Sequence, residues 1–266
     1  MTNVSADVWA SGEGYESYVG RWSRLVAAEF LSWLDAPFGW RWLDVGCGTG
    51  ALTQLVLDTA GPSEVRAVDR SPPFVEFARA RVADPRASFS VADAQLLPQS
   101  TASIDAAVSG LVLNFVPRPE AAVAEMARVV RPGGTVAVYV WDYARGMQFM
   151  RCFWDAAVAL DSAASALDEA RRFPVCEPRA LEALFRGAGL ATVQTRAIDV
   201  PTRFRDFDDY WRPFLGGQGP APGYAMGLSE ERRAALRERL RAALPIGVDG
   251  SIDLEARAWA ARGTRP

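Results

Sequence analysis

Residues 43–53, LDVGCGTGALT, constrain this chain more than any other stretch. An apolar run ends in an acid, glycines fall at 46, 48 and 50, and an apolar run resumes. Glycine gives up more conformational freedom on folding than any other residue. A cluster of them therefore marks backbone that needs positive φ or must lie close to something. A strand over WRWLDV (40–45), a tight turn and a helix over ALTQLVLDTA account for the order. A strand–turn–helix unit of this kind opens a parallel α/β sheet.

The rest of the chain repeats the rhythm. EVRAVD (64–69), ASFSVAD (87–93), IDAAVSGLVL (104–113) and TVAVYVW (135–141) read as further strands. PPFVEFARARVA and EAAVAEMARVV read as helices between them. The strands are apolar nearly throughout, as when helices cover both faces of a sheet. Ahead of them, Val19, Trp22, Val26, Phe30 and Trp33 recur at helical spacing, which predicts a helix over 15–34. Beyond Trp141 the pattern predicts helices over 147–160, from 178 to Gly187 or Gly189, over 204–215 and over 229–244, with a Gly/Pro loop at GGQGPAPG. ATVQTRAIDV (191–200) and SIDLEARAWAARG (251–263) read as late strands. The expected organisation is an N-terminal helical segment (1–36), a ligand-binding core (37–145), and helical insertions with the last strands (146–266).

Gly46, Gly48 and Ala51 satisfy G-x-G-x-x-G/A, a pattern that by itself permits a nicotinamide dinucleotide. Three acids narrow the choice. Asp44 stands directly before the turn, where it would repel a pyrophosphate but suit an ammonium or sulfonium charge. Asp69 ends the second strand, 21 residues after Gly48, and an acid there can accept both ribose hydroxyls. Asp93 ends the third strand segment and can read an adenine edge. All three fall at the carboxyl ends of successive strands, where open α/β sheets bind ligands.

With LDVGCGTG, VDRSP, ADAQLLP, IDAAVSGLVLNFVPRPE and MARVVRPGGTVAV, residues 15–145 resemble the class I S-adenosylmethionine-dependent methyltransferases, of the type 11-like kind that acts on small molecules. The resemblance implies a Rossmann-like, doubly wound, mostly parallel seven-stranded sheet with a late antiparallel strand, an N-terminal helix and a helical substrate cap. It also implies S-adenosylmethionine as cofactor. Gly46, Cys47, Gly48 and Gly50 would then hold the methionine part, with Asp44 supporting it. Asp69 would bind the ribose and Arg70 pack near adenine, while Asp93 and the backbone of Ala94 read the base. Leu111 would border the transferable methyl. YESYVGRWSR is similar to the leading helix of glycine N-methyltransferase. By that likeness Tyr15 would border the cofactor and Arg24 would pair with its carboxylate, with Arg21 one gap away as the rival.

The chain has no histidine, so an imidazole base, a His metal ligand and a Ser-His-Asp triad are excluded. All 29 basic residues are arginine. A base for methyl transfer must therefore come from an acid, tyrosine, cysteine or water. Asp142, just after the fifth strand, is the first candidate, with a turn-capping acid in WDYARG as the competing reading. Asn114 and Phe115 can orient an acceptor near the methyl. Tyr18, Phe115, Trp141 and Trp211 are candidate substrate contacts, and the aromatic segment after Trp141 suits a hydrophobic or aromatic small molecule. A net charge of −3 and a helix 231–241 that mixes arginines with acids argue against a nucleic-acid partner. No run is long enough for a membrane span, no signal peptide is evident, and three scattered cysteines form no disulfide or zinc pattern. The expectation is a cytoplasmic monomer or homodimer with a small-molecule acceptor and no metal. The rivals are an NAD-dependent oxidoreductase and an S-adenosylmethionine-binding protein without transferase activity.

Overall fold

The alternating apolar segments form strands β1 (Arg41–Val45), β2 (Glu64–Asp69), β3 (Ala87–Val91), β4 (Ile104–Gly110), β5 (Val130–Trp141), β6 (Ala191–Phe204) and β7 (Ile252–Thr264). The structure is a computed structural model that describes residues 20–216 and 219–266. One sheet runs in the order β3-β2-β1-β4-β5-β7-β6. β3 to β5 pair in parallel, and β7 pairs antiparallel to β5, from Thr135↔Thr264 to Trp141↔Ala258. This is the seven-stranded, mostly parallel arrangement expected, with the antiparallel strand in place.

Helices α1 (Arg21–Leu34), α2 (Ala51–Thr59), α3 (Pro72–Arg81) and α4 (Pro119–Val129) accompany the parallel strands. Prolines at the starts of α3 and α4 sit in the first turn, where a missing N–H costs nothing. Later come α5 (Gln148–Leu160), α6 (Glu169–Arg172), α7 (Pro178–Gly187), α8 (Phe207–Trp211), α9 (Pro220–Gly227) and α10 (Glu230–Ala243).

The chain packs as two units. The first comprises Arg24–Trp141, Val175–Ile198 and Ala258–Pro266. Its interior is aliphatic: Leu43, Val56, Val65, Ile104, Val108, Val123, Val136 and Val138 are fully buried. Phe30 of α1 lies 4.8 Å from Tyr139 of β5, ring to ring. Asp105 of β4 accepts hydrogen bonds from the backbone and guanidinium of Arg41 and from Arg131, tying β1, β4 and β5 together. Burial alone would raise its pKa, but the two guanidiniums hold it well below the usual carboxylate range.

The second unit comprises the described residues up to Ser23, Asp142–Pro174 and Asp199–Arg257. Its core is aromatic. Phe153 and Phe149 stack on Phe214 at 4.4 and 4.6 Å, and Trp22 meets Phe204 edge-on at 5.1 Å. The buried Tyr210 hydroxyl donates to the Phe149 carbonyl at 2.9 Å, which satisfies its polar end. Glu169 is also buried, and Trp154 Nε1 donates to one of its carboxyl oxygens while the other has no partner among the described residues. Desolvation pushes this acid up to about 7, against the hydrogen bonds it accepts.

Several element boundaries differ from the sequence expectation. β3 stops at Val91, and β4 at Gly110 because Leu111 takes a positive φ of 61°. β5 starts at Val130, five residues early, since Gly133 turns at φ 75° and still donates its N–H to the Arg265 carbonyl. The helix expected over 204–215 is shorter: Phe204 ends β6, α8 follows, and a 3-10 turn takes Arg212–Gly216. The expected Gly/Pro loop becomes helix α9 from Pro220. The start of the leading helix, 15–19, lies outside the described residues.

Candidate active site

β1 delivers Asp44 to the glycine turn, and the turn is anchored on β2. The Gly46 and Cys47 N–H groups both donate to the Val68 carbonyl, at 2.7 and 2.9 Å. Gly46 has φ 78°, and a Cβ there would fall 2.5 Å from the Val112 methyls, so no larger residue fits. Gly48, at φ 51°, is different. Nothing lies within 4 Å of where its Cβ would be, so the turn presents bare backbone to open space.

Asp69 is held by the same turn. Its Oδ2 accepts from Gly48 N–H at 3.0 Å and its Oδ1 from Ser71 N–H at 2.9 Å. Each oxygen keeps a further lone pair, so the carboxylate is oriented without being used up. Burial pushes Asp69 upward, against these two amide donors. Asp44 is deeper, 1% exposed. Its Oδ2 accepts from Thr53 Oγ1 at 2.6 Å, and its Oδ1 has no partner among the described residues. Desolvation drives this carboxyl up to about 7, opposed by Thr53 and reinforced by the nearby Asp69. A buried acid with one unsatisfied oxygen fits a cationic donor and does not fit a phosphate. Cys47 is buried beside both acids and its thiol is held far above its ordinary range, which makes it inert.

A cleft opens at the carboxyl ends of these strands. Gly46, Asp69, Arg70, Asp93, Ala94 and Phe115 line it, all residues the sequence had pointed to. Gln95, Val112, Val116 and Pro117 join them and had not been anticipated. Asp93 accepts from the Gln95 backbone N–H at 2.8 Å and from Gln95 Nε2 at 3.0 and 3.2 Å. These bonds, with weaker help from Arg70 and Arg118, lower its pKa. Thr53 was also missed. Its signal was present as the only hydroxyl in the first turn of α2, nine residues past Asp44.

The remaining sequence candidates fall elsewhere. Gly50 caps α2 at φ 80°. Leu111 is buried, and its N–H donates to the Tyr139 carbonyl at 2.8 Å. Asn114, in the 3-10 turn Leu113–Phe115, is buried with an Nδ2 that has no partner among the described residues. Trp141 is buried at the end of β5, and Trp211 is buried in α8 beside Phe214 at 6.0 Å. Asp142 Oδ1 accepts from Arg145 N–H at 3.0 Å and its carbonyl accepts from Gly146 and Met147, the bonding of a turn-organising acid. Arg24 is on an exposed position of α1. Arg21 is already engaged, 3.4 Å from Asp209 and stacked over Trp22 and Phe204. Tyr15 and Tyr18 lie outside the described residues. Among the described residues there is no group of three or more His, Cys, Asp or Glu able to hold a metal, and no helix long and apolar enough to cross a membrane.

The profile of a family described as methyltransferase domain matches residues 43–138, the segment that builds the turn, the three acids and β1 to β5. Over that segment the chain is similar to the methyltransferase-domain family. The chain is 38% identical over 92 residues to a malonyl-[acyl-carrier protein] O-methyltransferase of Hahella chejuensis, covering 35% of this chain and 33% of that protein. It is 34% identical over 136 residues to a demethylmenaquinone methyltransferase of Renibacterium salmoninarum, covering 51% and 52% respectively. The chain thus spans between a third and about half of these curated relatives. Phosphoethanolamine N-methyltransferase 2 of Haemonchus contortus, solved with S-adenosyl-L-methionine, shares the fold of this chain. The TM-score is 0.61 at 16% identity, over 96% of this chain and 56% of that one.

Proposed function

We propose that this chain is a methyltransferase that binds S-adenosylmethionine in the cleft at Gly46–Phe115 and moves its methyl to an oxygen or nitrogen of a small, hydrophobic or aromatic acceptor. One observation carries the reading: three acids at adjacent strand ends, of which the most buried, Asp44, keeps an unsatisfied oxygen for a cation. Relatives named as a demethylmenaquinone methyltransferase and a malonyl-[acyl-carrier protein] O-methyltransferase support the reaction class. The cofactor supplies an electrophilic methyl on a sulfonium sulfur.

The chain's own residues bind and orient. Asp44 opposes the cationic amino acid part, and the bare backbone at Gly48 lets it lie close. Asp69, already oriented by Gly48 and Ser71, accepts the ribose hydroxyls. Arg70, Asp93 and the Ala94 backbone flank the adenine. Leu111 borders the methyl, while Asn114, with its unpartnered Nδ2, and Phe115 orient the acceptor. Arg24 pairs with the cofactor carboxylate. Holding donor and acceptor in line supplies much of the acceleration without a dedicated base. The setting is a cytoplasmic monomer or homodimer.

Calorimetry with S-adenosylmethionine, S-adenosylhomocysteine and NAD tests the cofactor. Binding of the first two and not the third is expected, and NAD binding alone sinks the reading. An acceptor screen that reads S-adenosylhomocysteine release tests the transferase step.

A further inference from the structure

We propose that Gln95 is a specificity-determining residue of the cleft: its side-chain amide occupies Asp93 in place of a 6-aminopurine's exocyclic amino group, and the purine binds by displacing it. The inference rests on the reading above that the cleft takes an adenine nucleoside.

Gln95 and Asp93 both line the cleft. The Gln95 amide nitrogen reaches both carboxylate oxygens, at 3.0 and 3.2 Å. A primary amide and the amino group of adenine are chemically alike here, since each is a planar NH2 that only donates. The other end of the amide is fixed as well: Arg118 Nε donates to Gln95 Oε1 at 3.2 Å. A guanidinium has no acceptor, so this bond sets which end of the amide faces Asp93. The Gln95 backbone N–H holds Asp93 Oδ1 at 2.8 Å independently. The carboxylate therefore stays aimed when the side chain leaves.

An amino group on the ligand replaces the donor that it displaces. A purine with hydrogen at C6 brings no donor and leaves the amide where it is. The contact thus works as an internal competitor for ligands that carry the 6-amino group and for no others.

Gln95→Leu keeps the bulk and the backbone bond while removing the competing amide. Binding of S-adenosylhomocysteine and of its 6-deaminated analogue, with hydrogen at C6, is measured by calorimetry on the wild type and the variant. The variant should bind S-adenosylhomocysteine about twofold to tenfold more tightly, the range for one net intramolecular hydrogen bond. The analogue's affinity should not change. Arg118→Leu, which frees the amide, should shift S-adenosylhomocysteine in the same direction by less. Unchanged or weaker S-adenosylhomocysteine binding in Gln95→Leu overturns the inference, as does an equal shift for both ligands. Either result, with wild type that binds S-adenosylhomocysteine, leaves the cofactor reading standing. Wild type that binds none removes both.

Discussion

Asp44 and Asp69 stand at the ends of neighbouring strands, yet they bond differently. Asp69 is fastened by two amides, and Asp44 by one hydroxyl. Losing the charge-assisted bonds of Asp69 should cost about 2–3 kcal/mol in cofactor affinity in Asp69→Ala. Calorimetry checks this; the fold should survive, with a lower melting temperature because the Gly48 and Ser71 amides lose their acceptor. Asp44, at about 7, is half protonated near neutrality before ligand arrives. A cationic ligand favours the ionised form, so affinity should rise as pH increases through about 7, with proton release on binding. Titrations at pH 6 and 8 in two buffers test this, and Asp44→Asn should flatten the dependence. The positions of both acids were legible, because strand, glycine turn and acid fall in a fixed order. Their states were not. Orphaned Oδ1 and the Thr53 bond depend on depth, which the one-dimensional pattern does not carry. Asp142 was legible as an acid after a strand, and its bonds to Arg145, Gly146 and Met147 are those of a turn. Asp142→Asn should therefore lower kcat by less than about a hundredfold, below the usual range for loss of a general base. A larger loss with unchanged cofactor affinity would make it the base.

At the scale of elements, β1 and β2 were readable because each is a short apolar run with clear punctuation. Two of the misplaced boundaries, at Gly133 and Pro220, share a cause: glycine and proline read as stops where packing overrides them. Gly133 bends β5 without ending its pairing, through the bond to Arg265. Pro220 starts α9, and Ala221 and Ala225 bury completely on its inner face. Local propensity could not show that burial. Gly223, in the interior of α9, is exposed, and nothing lies within 4 Å of an added Cβ. Gly223→Ala should raise stability by about 0.4–1 kcal/mol by restricting the unfolded chain, readable in urea denaturation. A loss instead would mean that α9 is not helical in solution.

Across the whole molecule, stability should vary with pH through two acids, Asp44 and Glu169, each raised to about 7 by burial. An acid whose folded pKa lies above its unfolded value contributes fully at pH below the unfolded value. That contribution is lost as pH climbs through the folded one. The unliganded protein should therefore melt at lower temperature as pH moves from about 4.5 to about 7. Glu169→Gln should make that slope shallower, and a slope unchanged in the variant would place the proton elsewhere. Sequence alone gave no hint of Glu169, since an acid in ALDEARR looks like any solvated helix start.

The sheet order also sets a schedule for biosynthesis. β6 is an edge strand whose neighbour is β7, and β7 slots between β6 and β5. The ribosome completes β6 at Phe204 and does not begin β7 until Ile252. Through that interval the nascent chain carries β5 with an open edge and β6 with no strand to join. Unpaired edges of this kind are where growing chains stick to one another. Translation speed across residues 205–251, and chaperone occupancy while they emerge, should govern the yield of folded protein more than events in the parallel half of the sheet.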